Sequence, residues 1–593
     1  MGRAIRLCGL AVAINLLGVV ALGGTAAHAA SRNNAVAAAA SSASAGSTSV
    51  RDLKRELGYL PANVNAFFKV KAAADKLAGV NAPAATAASP ADTGPTAGPG
   101  WTGPNSPDSA PLDANGAIGP TRYLDIVNYS LGIYDRAGKA LTSGTLNDLT
   151  GDTNGLSDPI AFWDPATDRF YFQVLDTTSF DTEWGFSKTD SPSSFADFCT
   201  YDTDFGYGAA GNLPDYPKFG QTTDFLLIGV NSYSTVSANG SDIDWITKPQ
   251  GSDPITACPD KSTFKTGSVQ TVQNADGSDA WTPVPAIQTD PSGVGYVVAA
   301  YDVGGTTNGD IVGELPQATF LTVYKITKNA DGTPNIPLKG TAVTVPSYMS
   351  PADAPQPGPG VLDTLDGRLT HAVSGVDPLH GGKTTVWTEH AVFGGAGSEV
   401  RWYEIDPEAS ALVQSGSITD PQVSVFNAAV SPDRAVSGSG GNFGGTMFGG
   451  FTTSSPQQAP AIEMVDKHGD DPQSAWVMVK QSPGGDDDFT CEHLYIGVPR
   501  IPCRWGDYSG ATPDPAPPAS STSIGSVWLT NEYVDGPPNG TINGVAEESY
   551  NWQALATSQP PNTTPESPLQ PLLPVAGLAA IGALALVRRR RAA

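Results

Sequence analysis

Apolar residues along this chain come in short, punctuated runs. From about Asp113 to Ser558, segments such as RYLDIVNYSLGIYDRAG, DPIAFWDPATDRFYFQVLD and TDFLLIGVNSYS mix strict alternation with unbroken apolar stretches, bounded by Gly, Pro, Asp or Asn. Alternation at a period of two predicts strands with one wet face, and unbroken runs predict strands buried on both. GVGYVVAAYDV, KTTVWTEHAVFG, SEVRWYEID, GTMFGGFTTS and SVWLTNEYVDG continue the texture. Helical character is confined to the N-terminal side, where VRDLKRELGYLPANVNAFFKVKAAADKLAGV reads as helix interrupted at Pro61.

A loose repeat overlies the strands. A turn marked by Gly or Pro leads into a short apolar strand, then a turn with Asp or Asn, then a longer strand. It starts near ANGAIGPTRYLDIVN, SDPIAFWDPATDRFYF, PDYPKFGQTTDFLLIGVN, PVPAIQTDPSGVGYVVAAY, LDTLDGRLTHAVSG, FNAAVSPDRAVSG and RWGDYSGATPDP…SVWLTNEY. Starts spaced irregularly by roughly 40 to 75 residues suit four-stranded units that bury their faces only against one another and therefore close into a ring. The expected fold class is all-β: a β-propeller over residues 113–558, with seven blades favoured and six as the alternative.

Both ends carry addresses. MGRAIRLCGLAVAINLLGVVALGGTAAHAA begins with Arg3 and Arg6, runs apolar from about Leu7 to Gly24 and closes on Ala27-His28-Ala29. These are the parts of a secretory signal over residues 1–29, cut after Ala29. Residues 30–112 form an extension: an Ala/Ser-rich part read as disordered, the partly helical stretch, and a linker rich in Pro, Ala, Gly and Thr over 81–107. A second linker occupies 559–572. Over 573–593 an apolar run from Leu578 to Val587 precedes Arg588, Arg589, Arg590 and Arg591. Arginines behind an apolar run stop transfer, which predicts a C-terminal transmembrane anchor that leaves the chain outside the cell.

Leu573-Pro574-Val575-Ala576-Gly577 resembles the LPxTG-type sorting signal of Gram-positive surface proteins, with Ala before Gly. That resemblance implies a sortase as processing partner, cutting between Ala576 and Gly577, and a wall or membrane tether. SDPIAFWDPATDRFYF, DYPKFG and RWGDYSGATPDP…VWLTNEY are similar to recurrent segments of secreted bacterial β-propeller proteins, a group loosely allied to sialidase-like propellers. LDTLDGRLTHAV and EVRWYEID fit the same pattern. This second resemblance implies a propeller in a surface or secreted setting.

Composition narrows the partners. Against 59 Asp+Glu the chain has 33 Lys+Arg, a net charge of −26, which repels nucleic-acid phosphates and anionic lipid and argues against nucleic acid as a partner. The 66 Gly and 50 Pro suit a turn-rich β protein. Cys8 leaves with the signal. Cys199, Cys258, Cys491 and Cys503 remain, an even set in an oxidising compartment, with the neighbour pairs Cys199–Cys258 and Cys491–Cys503 preferred over the other pairings.

Candidate chemistry concentrates in RWGDYSG, with Arg504, Trp505, Asp507 and Tyr508. Read as a strand, it sends Arg504 and Tyr508 to one side and Trp505 and Asp507 to the other. A guanidinium in a channel grips a carboxylate bidentately, and an aromatic stacks on a sugar face. The plainer reading is a blade-start turn in which Asp507 caps amides and Trp505 packs between blades. Asp158 in SDP, and Asp215 and Lys218 in DYPKFG, hold the same repeat register, so they are expected to meet Arg504 and Asp507 in one polar pocket. A second centre is the fifth unit, with Arg368, His371, His380, Glu389, His390 and Arg401; its TEHAV lacks the H-E-x-x-H spacing of a zinc protease.

Asp507, Tyr508 and Glu389 are thus the candidates for catalysis. Asp158, Asp215, Lys218, Arg368, His390, Arg401, Arg504 and Trp505 are the candidates for ligand binding. NADGSDAW, from Asn274 to Trp281, is a near miss of the sialidase Asp-box S-x-D-x-G-x-x-W. No resident cofactor is expected, although the acidic turns GDTNGLSD and GGDDDF offer clustered oxygens to Ca2+ without EF-hand spacing. The functional expectation is a tethered propeller that binds extracellular glycan or protein, with a sialidase-like or other carbohydrate-active hydrolase or lyase as the alternative.

Overall fold

The computed structural model describes residues 64–81, 94–106, 110–234, 238–304, 315–358, 360–434, 443–486, 488–491, 502–516, 524–534, 541–542, 545–546 and 552–558. The signal over 1–29, the 559–572 linker and the sorting motif Leu573–Gly577 lie outside these residues.

Antiparallel sheets of four or five strands follow one another along the chain. Blade 1 spans 115–145, blade 2 156–203, blade 3 212–269, blade 4 281–348, blade 5 371–418 and blade 6 424–481. In each, the first strand lies on the inner side and touches the first strand of the next sheet, and in blade 5 Ile287–Gln288 pairs parallel to it as an added edge strand. A further sheet closes the ring between blades 6 and 1. Its order is Gly100–Asn105, Trp552–Ser558, Val527–Val534, Gly510–Pro513, so the first and last of the described strands share it. The expectation of seven successive blades is therefore corrected: six blades are contiguous, and the closing sheet is composite. Its outer strand comes from GWTGPN, inside the stretch read as linker. Trp101 fixes that strand, with ring centroids 5.5 Å from Tyr123 and 5.6 Å from Trp528, and Thr102 Oγ1 lies 2.8 Å from Tyr533 Oη.

Apolar runs form strands here because both faces of each blade are covered. Between blades 2 and 3, Phe162, Tyr171, Trp184 and Phe186 pack against Phe219, Leu226 and Ile228, each buried side chain contributing about 1.5–3 kcal/mol. The disulfides are Cys199–Cys258 and Cys491–Cys503, as the neighbour pairing predicts. They fit an exported, extracellular propeller.

Two further expectations are corrected. Among the described residues no helix is long and apolar enough to cross a membrane, so neither the transmembrane segment nor the membrane as a partner has structural support. The Asp-box near miss is only a turn ahead of blade 4. There the Asn274 amide donates to Ser278 O at 2.8 Å, Asp276 Oδ1 accepts from the Ser278 amide, and Trp281 opens the inner strand. The likeness to sialidases reduces to the propeller itself.

The N-terminal helix Val64–Asn81 is docked on the ring. Ala66, Phe67, Phe68, Val70 and Ala74 are buried. Lys71 Nζ lies 2.6 Å from Asp353 Oδ1 and donates to Thr364 Oγ1 and Leu365 O, each at 2.9 Å.

Candidate functional site at the channel mouth

One residue with left-handed backbone marks the entry of every inner strand: Asp113 (φ 58°), Asp158 (55°), Tyr216 (56°), Thr282 (51°), Leu365 (61°), Asn427 (42°) and Gly506 (31°). At Asp158, Tyr216, Thr282 and Asn427 the strand register slips at the same point, the mark of a β-bulge. The bulge bends the incoming chain and re-aims its side chains toward the ring axis. A neighbouring blade holds it in place: Asn128 Oδ1 accepts from the Asp158 amide at 2.8 Å, and Asn231 Oδ1 from the Thr282 amide at 3.0 Å. Such strained positions persist only where the surroundings over-determine them, and they concentrate at functional sites.

Around these entries the side chains meet across the axis. Tyr508, on the segment entering the closing sheet, donates to Asp158 Oδ2 of blade 2. Tyr216 Oη and Lys218 Nζ, both of blade 3, donate to Asp507 O at 2.6 and 3.2 Å. The Tyr216 and Tyr508 rings stack at 5.1 Å, and Lys218 Nζ lies 3.8 and 3.6 Å from their centroids. From blade 5, the Arg368 guanidinium covers Tyr216 at 4.5 Å while gripping Asp366 with two 2.8 Å bonds. Arg504 pairs with Asp507 and faces Asp363 Oδ2 at 4.0 Å. Asp158, Asp215, Asp363 and Arg504 are half-buried, and Asp113, Tyr216, Lys218, Asp507 and Tyr508 lie beneath them.

Electrostatics separate these groups. Burial, with Asp158 alongside, pushes the Asp215 carboxyl up to about 8. Burial and the neighbouring Asp507 raise Asp113 well above the carboxylate range. Burial brings Lys218 down to about 7. Burial also opposes the charge on Arg504, but Asp507 and Asp363 outweigh it. Asp507 Oδ1 and Arg504 Nε are buried and find no hydrogen-bond partner among the described residues.

No protein-family model and no curated protein matches the chain. Its likenesses are to solved propellers and are remote. The WD40 domain of SCAP from fission yeast is 9% identical, with 78% of this chain and 87% of that chain covered and a TM-score of 0.31. For the Dos1 propeller the figures are 11%, 77%, 95% and 0.31. For the GH93 alpha-L-arabinofuranosidase of Fusarium graminearum they are 11%, 58%, 88% and 0.32. At these values no residue role carries over.

Of the residues singled out in the sequence, Asp158, Asp215, Lys218, Arg368, Arg504, Asp507 and Tyr508 come together at this mouth. The alternating strand read for RWGDYSG is replaced by a turn, because Gly506 adopts positive φ. Trp505 is fully buried beside Phe426 in an apolar cluster and donates to Thr452 Oγ1. His390 is buried between Gly367 O and Tyr403 Oη, and burial lowers it to about 3. Arg401 lies on the third strand of blade 5, paired with Glu399 and donating to Ser347 O. His380 pairs with Asp377, at the ends of blade 5 strands remote from His371. Glu389 is buried against Thr370 and the Val430 amide, with burial pushing it up to about 8. Sequence reasoning missed Asp113, Tyr216, Asp363 and Asp366. The first two occupy the left-handed entry position itself, and the last two lie in LDTLDGR, five and two residues ahead of Arg368 at one of the repeat starts.

Proposed function

We propose that the channel mouth hydrolyses glycosidic bonds in an extracellular glycan. The observation that carries this reading is a carboxyl held protonated, Asp215, on the blade next to a second carboxyl, Asp158, that is fixed by hydrogen bonds at the same mouth. Asp215, held protonated to about 8 and half-buried, has the state a general acid needs to protonate a leaving oxygen. Asp158 accepts hydrogen bonds from Tyr508 Oη and Ser157 Oγ, which fix the orientation of the second carboxyl, the one assigned the role of base or nucleophile. Glycoside hydrolysis uses two carboxyl groups, one of them a general acid kept protonated by its surroundings. Arg504, paired with Asp507 and facing Asp363, supplies positive charge beside the site.

The test is to incubate the purified chain with a mixed glycan library and follow products by mass spectrometry. Shorter products that vanish in Asp215→Asn and in Asp158→Asn support hydrolysis. Retained glycan without new products would replace it with a binding role.

A further inference from the structure

Away from the ring axis, the mouth-facing end of blade 2 gathers a second set of carboxylates. Asp152 comes from the loop 151–155 ahead of the blade, Asp176 ends its second strand, and Glu183 lies near the start of its third. One oxygen from each lies within 4.8 Å of the others. Oxygens that surround a common Ca2+ at about 2.3–2.6 Å are separated by no more than about twice that distance.

Acidic clusters often build turns, and two members of this one do. Asp152 Oδ1 accepts from the Asn154 amide at 2.7 Å. Asp176 accepts from the Thr178 amide, Ser179 Oγ and Asn154 Nδ2, each at 2.7 Å. Glu183 has no such explanation. It is 4% exposed, and its carboxylate accepts no hydrogen bond from any described residue. Asp202, itself paired with Lys261, is its cross-strand partner, and Asp152, Asp176 and Asp181 are the other charges that press on it. Like charges placed directly opposite on a sheet destabilise it, and a buried carboxylate with neither donor nor cation is costly.

We propose that Asp152, Asp176 and Glu183 ligate a Ca2+ ion. Carboxylates from three separate segments, one of them a surface loop, suit the irregular oxygen shell of Ca2+ better than the rigid octahedron of Mg2+. The ion ties the loop to two strand ends. Because Leu156, the first residue of the inner strand, pairs with Asp176, it also sets the path of the chain into Asp158.

Calcium titrated into the full EDTA-treated chain by calorimetry, with melting followed in parallel, tests this. Wild type is expected to bind Ca2+ and melt higher with it. Glu183→Gln is expected to fold at least as well without metal, to bind at least about tenfold more weakly, and to lose the calcium-dependent rise. Asp152→Asn, altered only in the surface loop, should behave likewise and covers any folding failure of the first variant. No binding by wild type, or binding unchanged in both variants, would overturn the site. So would loss of binding in Glu404→Gln instead, which would move the ion to the Asp377, His380 and Glu404 cluster of blade 5.

Discussion

Tyr508 donates its phenolic hydrogen to Asp158 Oδ2 at 2.8 Å, joining the closing sheet to blade 2 across the channel mouth. In Tyr508→Phe the ring still stacks on Tyr216, so the fold should hold at a cost of about 1 kcal/mol. Asp158 loses a hydrogen bond that orients it. Hydrolysis is expected to fall about tenfold or more in kcat, with KM little changed.

Asp215→Asn separates chemistry from stability. An amide replaces a carboxyl that is already neutral near pH 7, so the variant should fold while losing hydrolysis. The sign of its pH dependence follows from the raised folded value of about 8 against an unfolded value of ~4. Wild-type Asp215 contributes stability that is fully present below ~4 and is lost as the pH rises through about 8. Melting curves should therefore turn in favour of the variant across that window, and a constant difference would refute the assignment.

Lys71→Ala tests the docking of the N-terminal helix. Removing one partner of the buried pair with Asp353 costs about 3–5 kcal/mol. Hydrogen exchange should rise throughout Val64–Asn81 and leave the blades protected.

Trp101→Ala tests closure of the ring. Its half-buried ring touches Tyr123, Tyr134 and Trp528, so truncation should cost about 3 kcal/mol. Limited proteolysis should then cut the closing sheet before any contiguous blade.

Much of the mouth is readable from repeat register. Asp158, Asp215, Lys218, Arg504 and Asp507 all stand where an inner strand begins, and a ring brings equivalent positions together. Register does not give side-chain direction, which is why His390 and Arg401 mislead. Alternation assigns each to a strand face, but His390 turns into blade 5 toward Tyr403, and Arg401 reaches blade 4 at Ser347 O. Arg368 was grouped with those histidines, yet its bond to Asp366 swings it over Tyr216. Gly506 shows the limit most directly. Its positive φ breaks the alternation that would separate Arg504 from Asp507, and a Cβ there would collide with Asn427 Nδ2 at 1.9 Å. GWTGPN, with its glycines and proline, has little strand propensity of its own and becomes a strand only through pairing with Trp552–Ser558 and the packing of Trp101.

The composite closing sheet also orders events in time. Among the described residues Gly100–Asn105 is the first strand to be synthesised and Trp552–Ser558 the last, yet they are hydrogen-bonded neighbours. A growing chain can pair the strands of each contiguous blade in turn, but it cannot seal the ring until its final strand is made. A chain cut short before Trp552 leaves its first strand without a partner. The clasp therefore distinguishes finished molecules from fragments.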